Sequence, residues 1–200
     1  MELVFATNNT NKIKEIQCLL PPSIKLLSLA DINCNEELPE TQNTIEGNAS
    51  QKAFYVFNNY HVNCFADDTG LEVEALNGKP GVLSARYAGE HKNINDNINK
   101  LLTKLNTAHN RNAHFKTILS LVINGKETQF KGIVEGTILT EKKGTNGFGY
   151  DPVFAPLTYH NKKNETLVSF AEMELSEKNQ ISHRAIAVKK LVDHLSILME

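Results

Sequence analysis

The chain has 200 residues, 40% of them hydrophobic, enough for one domain with a sizeable core, since a chain of this size buries roughly 70% of its unfolded surface. Its formal net charge is −2, with 21 Lys and Arg against 23 Asp and Glu, which lacks the positive balance that drives binding to a phosphate backbone and argues against a nucleic-acid partner. Three cysteines, Cys18, Cys34 and Cys64, form no C-x-x-C pair, and the opening Met1-Glu2-Leu3-Val4-Phe5 has no basic leader; with no run of ~18 apolar residues, a cytoplasmic protein without disulfides or membrane spans is predicted.

Leu3 to Ala6 is a short apolar run that reads as a strand, followed by a polar loop and by Ile13, Ile16, Leu19 and Leu20 at helical spacing. Ile24 to Leu29 reads as a second strand. Thr44 to Tyr60 has the length and low Gly/Pro content of a helix, with Phe54, Tyr55, Phe57 and Tyr60 assigned to the core. Cys64-Phe65-Ala66 predicts a brief buried strand that ends in a turn at Asp67-Asp68-Thr69-Gly70. After a loop from Asn77 to Gly81, Ile94 to Leu105 predicts a helix that packs one face. His114 to Ile123 and Thr128 to Leu139 are β-branched segments joined at Asn124-Gly125, a strong hairpin signal. A Gly-rich loop from Gly144 to Gly149 precedes a final helix, capped by Ser182, with Ala185, Val188, Leu191, Val192, Leu195 and Leu198 on one side. Strands alternating with helices around a central hairpin predict an α/β fold on a mixed sheet, within a single domain spanning residues 1–200.

Four polar stretches invite chemistry. Thr7-Asn8-Asn9-Thr10-Asn11-Lys12 leads from a strand into a helix, where free N–H groups and the helix dipole favour an anion; an ordinary N-capping turn uses the same residue types. Asp67 and Asp68 offer hard oxygen ligands to Mg²⁺, while Glu40 by itself is a surface acid. Gly147-Phe148-Gly149-Tyr150-Asp151-Pro152 puts aromatic rings between flexible backbone, suited to a base ring or to a tight turn that plugs the core. Lys178, His183 and Arg184 gather near the start of the last helix, where cations oppose the dipole unless an acceptor offsets them.

In order along the chain, these segments resemble the inosine/xanthosine triphosphate pyrophosphatase family, whose members hydrolyse deaminated purine triphosphates to monophosphate and pyrophosphate. The resemblance runs from Phe5 to Lys12 through Pro39-Glu40-Thr41, Glu46-Gly47-Asn48-Ala49, Ala66 to Leu71, Pro80-Gly81, Ser84 to Tyr87, Gly147 to Pro152 and Ile181 to Arg184. It implies an elongated mixed sheet flanked by helices, with two lobes and an active-site cleft, and a homodimer using Mg²⁺. By the same resemblance Asp68 is the catalytic acid residue and a metal ligand, and Glu40 is the second metal carboxylate. Lys12 and Lys52 resemble the family's phosphate-binding lysines, Thr69 is a further substrate contact, and the loop residues Thr7, Asn8, Asn9, Thr10 and Asn11 are expected to bind substrate beside Lys12. Phe148, Gly149, Tyr150, Asp151, Lys178, His183 and Arg184 fall where the family holds purine and sugar. Asn8 stands where many relatives have Gly, and Gly47 where an acid is common. Three rival functions are a Maf-like pyrophosphatase acting on another modified nucleotide, a non-catalytic nucleotide sensor and a nucleic-acid-binding module; the acidic set Asp67, Asp68 and Glu40 speaks against the sensor.

Overall fold

The structure, a computed structural model, describes residues 1–159 and 166–199. In chain order it contains β1 (Glu2–Phe5), α1 (Thr10–Gln17), β2 (Lys25–Leu27), α2 (Ile45–Tyr60), β3 (Cys64–Val73), β4 (Pro80–Gly81), α3 (Ile94–Lys104), β5 (Asn112–Ile123), β6 (Lys126–Ile138), β7 (Phe154–Pro156), α4 (Leu175–Ile181) and α5 (His183–Leu198). Side chains that satisfy free N–H groups start the helices: Asn9 caps α1, Thr44 caps α2 and Asn93 caps α3. The strands form one mixed sheet in the order β2-β1-β3-β5-β6-β7, with β4 paired to β3. β1 runs parallel to β2 and β3, whereas β3–β4 and β6–β7 are antiparallel. Among the described residues no helix is long and apolar enough to cross a membrane.

The chain divides into two compact units. Unit 1 comprises Met1–Asp68, Thr117–Gly132 and Arg184–Glu200. Its core follows from strand alternation, which sends successive side chains to opposite faces. Leu3, Phe5, Phe65, Leu119 and Leu121 pack with Ile16 of α1 and with Ala187, Val188, Leu191 and Leu195 of α5. Val4, Ala6, Cys64, Ala66 and Val122 face the other way, onto Ala53 and Val56 of α2. Unit 2 comprises Thr69–Lys116 and Ile133–His183. Ile98, Leu101 and Leu105 give α3 its buried stripe, and Phe115, Phe154 and Phe170 form an aromatic cluster with centroids 4.6 to 6.2 Å apart.

Three expectations need correction. The strand that was to stop at Ala66 continues to Val73, so Asp67 and Asp68 lie in mid-strand instead of in a turn; pairing with β1 before them and β4 after them overrides the turn preference of Asp and Gly. A separate helix, α4, precedes the last one: Lys178 belongs to its final turn, where a cation suits the dipole, and Ser182, the residue directly before α5 as expected, is also the C-cap of α4. Leu198, placed on one side of α5 with Leu191 and Leu195, is 53% exposed, because it lies in the last turn, outside the core cluster that buries those two.

Candidate active site

Continuation of β3 through Asp67 and Asp68 sorts the two carboxylates onto opposite faces of unit 1. Asp67 shares the face of Phe65, toward α1 and α5, and Asp68 shares the face of Cys64 and Ala66, toward α2. Different neighbours follow. Lys12 Nζ donates to Asp67 Oδ1 at 2.8 Å, and Arg184 Nε and Nη2 donate to Asp67 Oδ2 at 3.3 and 3.2 Å. The fully buried Arg184 also donates through Nη1 to Glu15, which lies one turn after Lys12 on the same face of α1. Burial opposes ionisation of Asp67, yet Lys12 and Arg184, with Lys52, outweigh it and hold the carboxyl well below the usual carboxylate range. For Arg184 burial is likewise outweighed, by Asp67 and Glu15, and its pKa rises. Lys12 is driven the other way, since burial lowers its pKa more than Asp67 restores it.

On the α2 face, Asp68 Oδ2 accepts a hydrogen bond from Asn48 Nδ2 at 3.2 Å, while Lys52 Nζ stands 3.9 Å from Asp68 Oδ1 and pairs with Glu40. Burial raises the pKa of Asp68, and the pull of Lys52 and Lys12 does not cancel it because Glu40 and Asp67 add repulsion. Lys52 keeps its proton: burial weighs against the charge, but Asp68, Glu40 and Asp67 together raise its pKa. Two adjacent carboxylates thus have pKa values pushed apart, the arrangement that separates a permanently ionised group from one suited to exchange a proton. Lys12, Lys52, Glu40, Asp67 and Asp68 are brought together within one unit. Glu15 and Asn48, absent from the sequence-derived set, join them.

The polar loop after β1 is an N-capping turn in this structure. Asn9 Oδ1 accepts from the N–H groups of Asn11 and Lys12 at 3.0 and 3.2 Å, and Thr7 Oγ1 accepts from Asn9 N–H at 3.2 Å. Residues 7–12 include no positive φ, so Asn8 needs no glycine-like backbone conformation and sits without strain. Asn8, Asn9, Thr10 and Asn11 are exposed, and Lys12 is half-buried. Gly47, in contrast, has no room to spare: a Cβ there would meet Gln42 Cβ at 2.8 Å and Thr44 Oγ1 at 2.9 Å.

Within unit 2, Gly147 and Gly149 adopt φ of 71° and 62°, which leaves Phe148 half-buried between them. Asp151, 2% exposed, accepts the Phe148 N–H at 2.8 Å and Lys178 Nζ at 2.6 Å through the same Oδ2. Lys178 Nζ also lies 5.1 Å from the Phe148 ring centroid and 5.5 Å from that of Phe170, within cation–π range. His183 stacks on Phe115 at 4.5 Å and 18°. Tyr150 is buried and donates through its hydroxyl to Ser84 O at 2.9 Å. Of the loop's two aromatics, then, Tyr150 anchors the turn and Phe148 is the ring that retains accessible surface. Thr69 begins this unit on β3, half-buried.

Residues 3–194 match the model of a family described as the Ham1 family. The chain is 58% identical over 193 residues to a dITP/XTP pyrophosphatase of Flavobacterium psychrophilum, covering 96% of this chain and 98% of that protein. It is 50% identical over 195 residues to a dITP/XTP pyrophosphatase of Porphyromonas gingivalis, covering 97% of each. Among solved structures it resembles the Ham1 protein of Staphylococcus aureus, with a TM-score of 0.84 and 38% identity over 98% of both chains. A HAM1 protein from Coxiella burnetii gives a TM-score of 0.86 at 35% identity, again over 98% of both. Sequence and fold agree along essentially the whole length, and the chain belongs to the Ham1 family, the inosine/xanthosine triphosphate pyrophosphatases that its motifs resemble.

Proposed function

We propose that this protein is a cytoplasmic, homodimeric hydrolase that converts deaminated purine nucleoside triphosphates, dITP, ITP and XTP, to the monophosphate and pyrophosphate. The observation that carries the reading is the buried Lys12–Asp67 and Lys52–Asp68–Glu40 arrangement, reinforced by relatives described as dITP/XTP pyrophosphatases. A triphosphate brings three or four negative charges, and Lys12 and Lys52 are the cations placed to meet them. Desolvation has lowered the pKa of Lys12; an incoming phosphate restores its preference for the charged form.

The carboxylates fit a magnesium ion. Among the described residues no group of three or more His, Cys, Asp or Glu side chains makes an all-protein cage, and Mg²⁺ needs only one or two carboxylates, with waters and substrate phosphates completing its shell. Asp68 and Glu40 would hold it, and when bound it supplies Lewis-acid stabilisation of charge on the phosphate oxygens. Asp68, its pKa raised by burial, is the group suited to take a proton from the attacking water. The water oxygen forms a bond to the α-phosphorus, the bond from that phosphorus to the bridging oxygen breaks, and pyrophosphate leaves with the electron pair. Asp67 holds Lys12 and Arg184 instead of reacting. Phe148 offers a face to the base, while Asp151 and Lys178 fix the loop that presents it.

The test is an assay of dITP, XTP, dGTP and dATP with and without magnesium, identifying whether pyrophosphate or orthophosphate leaves. Deaminated substrates and pyrophosphate are expected, and Asp68→Asn should lower kcat by about 10²- to 10⁴-fold. Turnover by Asp68→Asn within about tenfold of wild type, a barrier change of only ~1.4 kcal/mol, would remove Asp68 from the reaction. Size-exclusion chromatography with light scattering decides the dimer.

A further inference from the structure

Asn48 is 1% exposed and stands one helical turn before Lys52 on the inward face of α2. Its Oδ1 accepts the backbone N–H of Gln42 at 2.9 Å, and its Nδ2 donates to Asp68 Oδ2 at 3.2 Å. A backbone N–H can only donate, so the carboxamide has one orientation, with oxygen toward Gln42 and amino group toward Asp68. Gln42 lies two residues beyond Glu40. The intervening Thr41 is bound reciprocally to α2: its N–H donates to Gln51 Oε1 at 2.9 Å, and Gln51 Nε2 donates to Thr41 Oγ1 at 2.9 Å. One side chain therefore ties the segment that carries Glu40 to the strand that carries Asp68. By engaging Oδ2 it also leaves Asp68 Oδ1 on the side of Lys52.

We infer that Asn48 is a positioning residue for the hydrolysis, setting the separation of Glu40 and Asp68 and the rotamer in which Asp68 meets the reacting groups. The inference rests on the proposed roles of those two carboxylates. Leu can neither donate nor accept, and the Ser hydroxyl does both but is too short to span from Gln42 N–H to Asp68 Oδ2, so neither replaces the carboxamide. Displacing a reacting group by roughly 1 Å costs about a hundredfold in rate, and loss of groups that orient metal-binding side chains costs about 10- to 100-fold.

The experiment compares wild type, Asp68→Asn, Asn48→Leu and Asn48→Ser. Circular dichroism checks that each is folded, and if the Leu variant fails to fold the smaller Ser variant decides. Both Asn48 variants are expected to lose about 10- to 100-fold in kcat on dITP. KM is expected to stay within about threefold, as is the calorimetric Kd for an α,β-imido analogue of dITP, because that binding relies on the lysines and the base loop. A crystal structure of Asn48→Ser should show the Asp68 carboxylate rotated from its present place. A kcat within about threefold of wild type, a loss confined to KM, or an unmoved Asp68 overturns the assignment of Asn48. An active Asp68→Asn enzyme overturns the underlying reading of the carboxylates instead, so the two failures are distinct.

Discussion

Burial sets the reactivity of single residues in this chain as well as their packing. It pushes the Cys64 thiol up to about 12, with Sγ donating to Ala53 O at 3.2 Å, whereas Cys18 is exposed. The thiolate is the nucleophile, so at pH 8 a thiol reagent should label Cys18 in the native protein and reach Cys64 only after denaturation. Because the folded pKa lies above the unfolded value of about 8.5, the contribution of this thiol to stability is whole below about pH 8.5 and is lost as pH rises toward 12. Urea midpoints at pH 8 and 10 should therefore fall, and labelling of Cys64 as fast as Cys18 in the native state would contradict the assignment. The acidic pair was legible in the sequence as a place for chemistry, but its local structure was not. Asp and Gly are what turns use, and the sheet neighbours that make this stretch a strand are β1 and β5, far off in the sequence, with the nearby β4 pairing its end. Once the strand is known, period-two alternation alone gives Asp67 to α1 and α5 and Asp68 to α2.

Helices and hairpins show why other parts of the site escaped notice. The buried positions of α2 are Ile45, Asn48, Ala49, Lys52, Ala53 and Val56, a helical stripe with two polar members in an otherwise apolar set. That mismatch is the signal by which Asn48 could have been found, and Glu15 beside Ile16 on α1 carries the same mark. The stripe was masked by the aromatics Phe54, Tyr55, Phe57 and Tyr60, which look like the core face yet are only partly buried. Two of them, Tyr55 and Tyr60, donate to Glu36 at 3.2 and 2.6 Å. α4 went unseen because it has no apolar periodicity, and its capping box uses Glu174 and Glu177 instead of a Ser or Thr start. The β5–β6 hairpin was plain, since Asn124 and Gly125 adopt φ of 51° and 78° as a two-residue turn requires. A Cβ on Gly125 would make only ordinary 3.6 Å contacts with Phe57, so Gly125→Ala should act through backbone strain alone. We expect a loss of about 1–2 kcal/mol, read from the urea midpoint, and an unchanged midpoint would exclude that strain.

At the scale of the molecule, neither compact unit is a continuous piece of chain. The chain passes between them at 68/69, 116/117, 132/133 and 183/184, and each passage falls inside β3, β5, β6 or α5. No composition shift or linker marks such boundaries, which is why the sequence suggested none. The core of unit 1 needs Ala187, Val188, Leu191 and Leu195 from α5. Full burial of one large apolar side chain contributes about 1.5–3 kcal/mol against a total stability of about 5–15 kcal/mol. A chain truncated after residue 182 should therefore lose cooperative unfolding and bind a hydrophobic dye; a sharp urea transition in that fragment would show that α5 is dispensable.

Leu3, Phe5, Phe65, Leu119 and Leu191 pack in one cluster although they come from the first, middle and last parts of the sequence. A ribosome adds about 5–20 residues per second, so the strand made first waits longest for its cover. Until the final helix has left the exit tunnel, Phe5 and Phe65, stacked at 4.6 Å in the finished protein, remain part of an open apolar surface. Newly made chains of this protein thus complete the cluster only when α5 arrives to cover it.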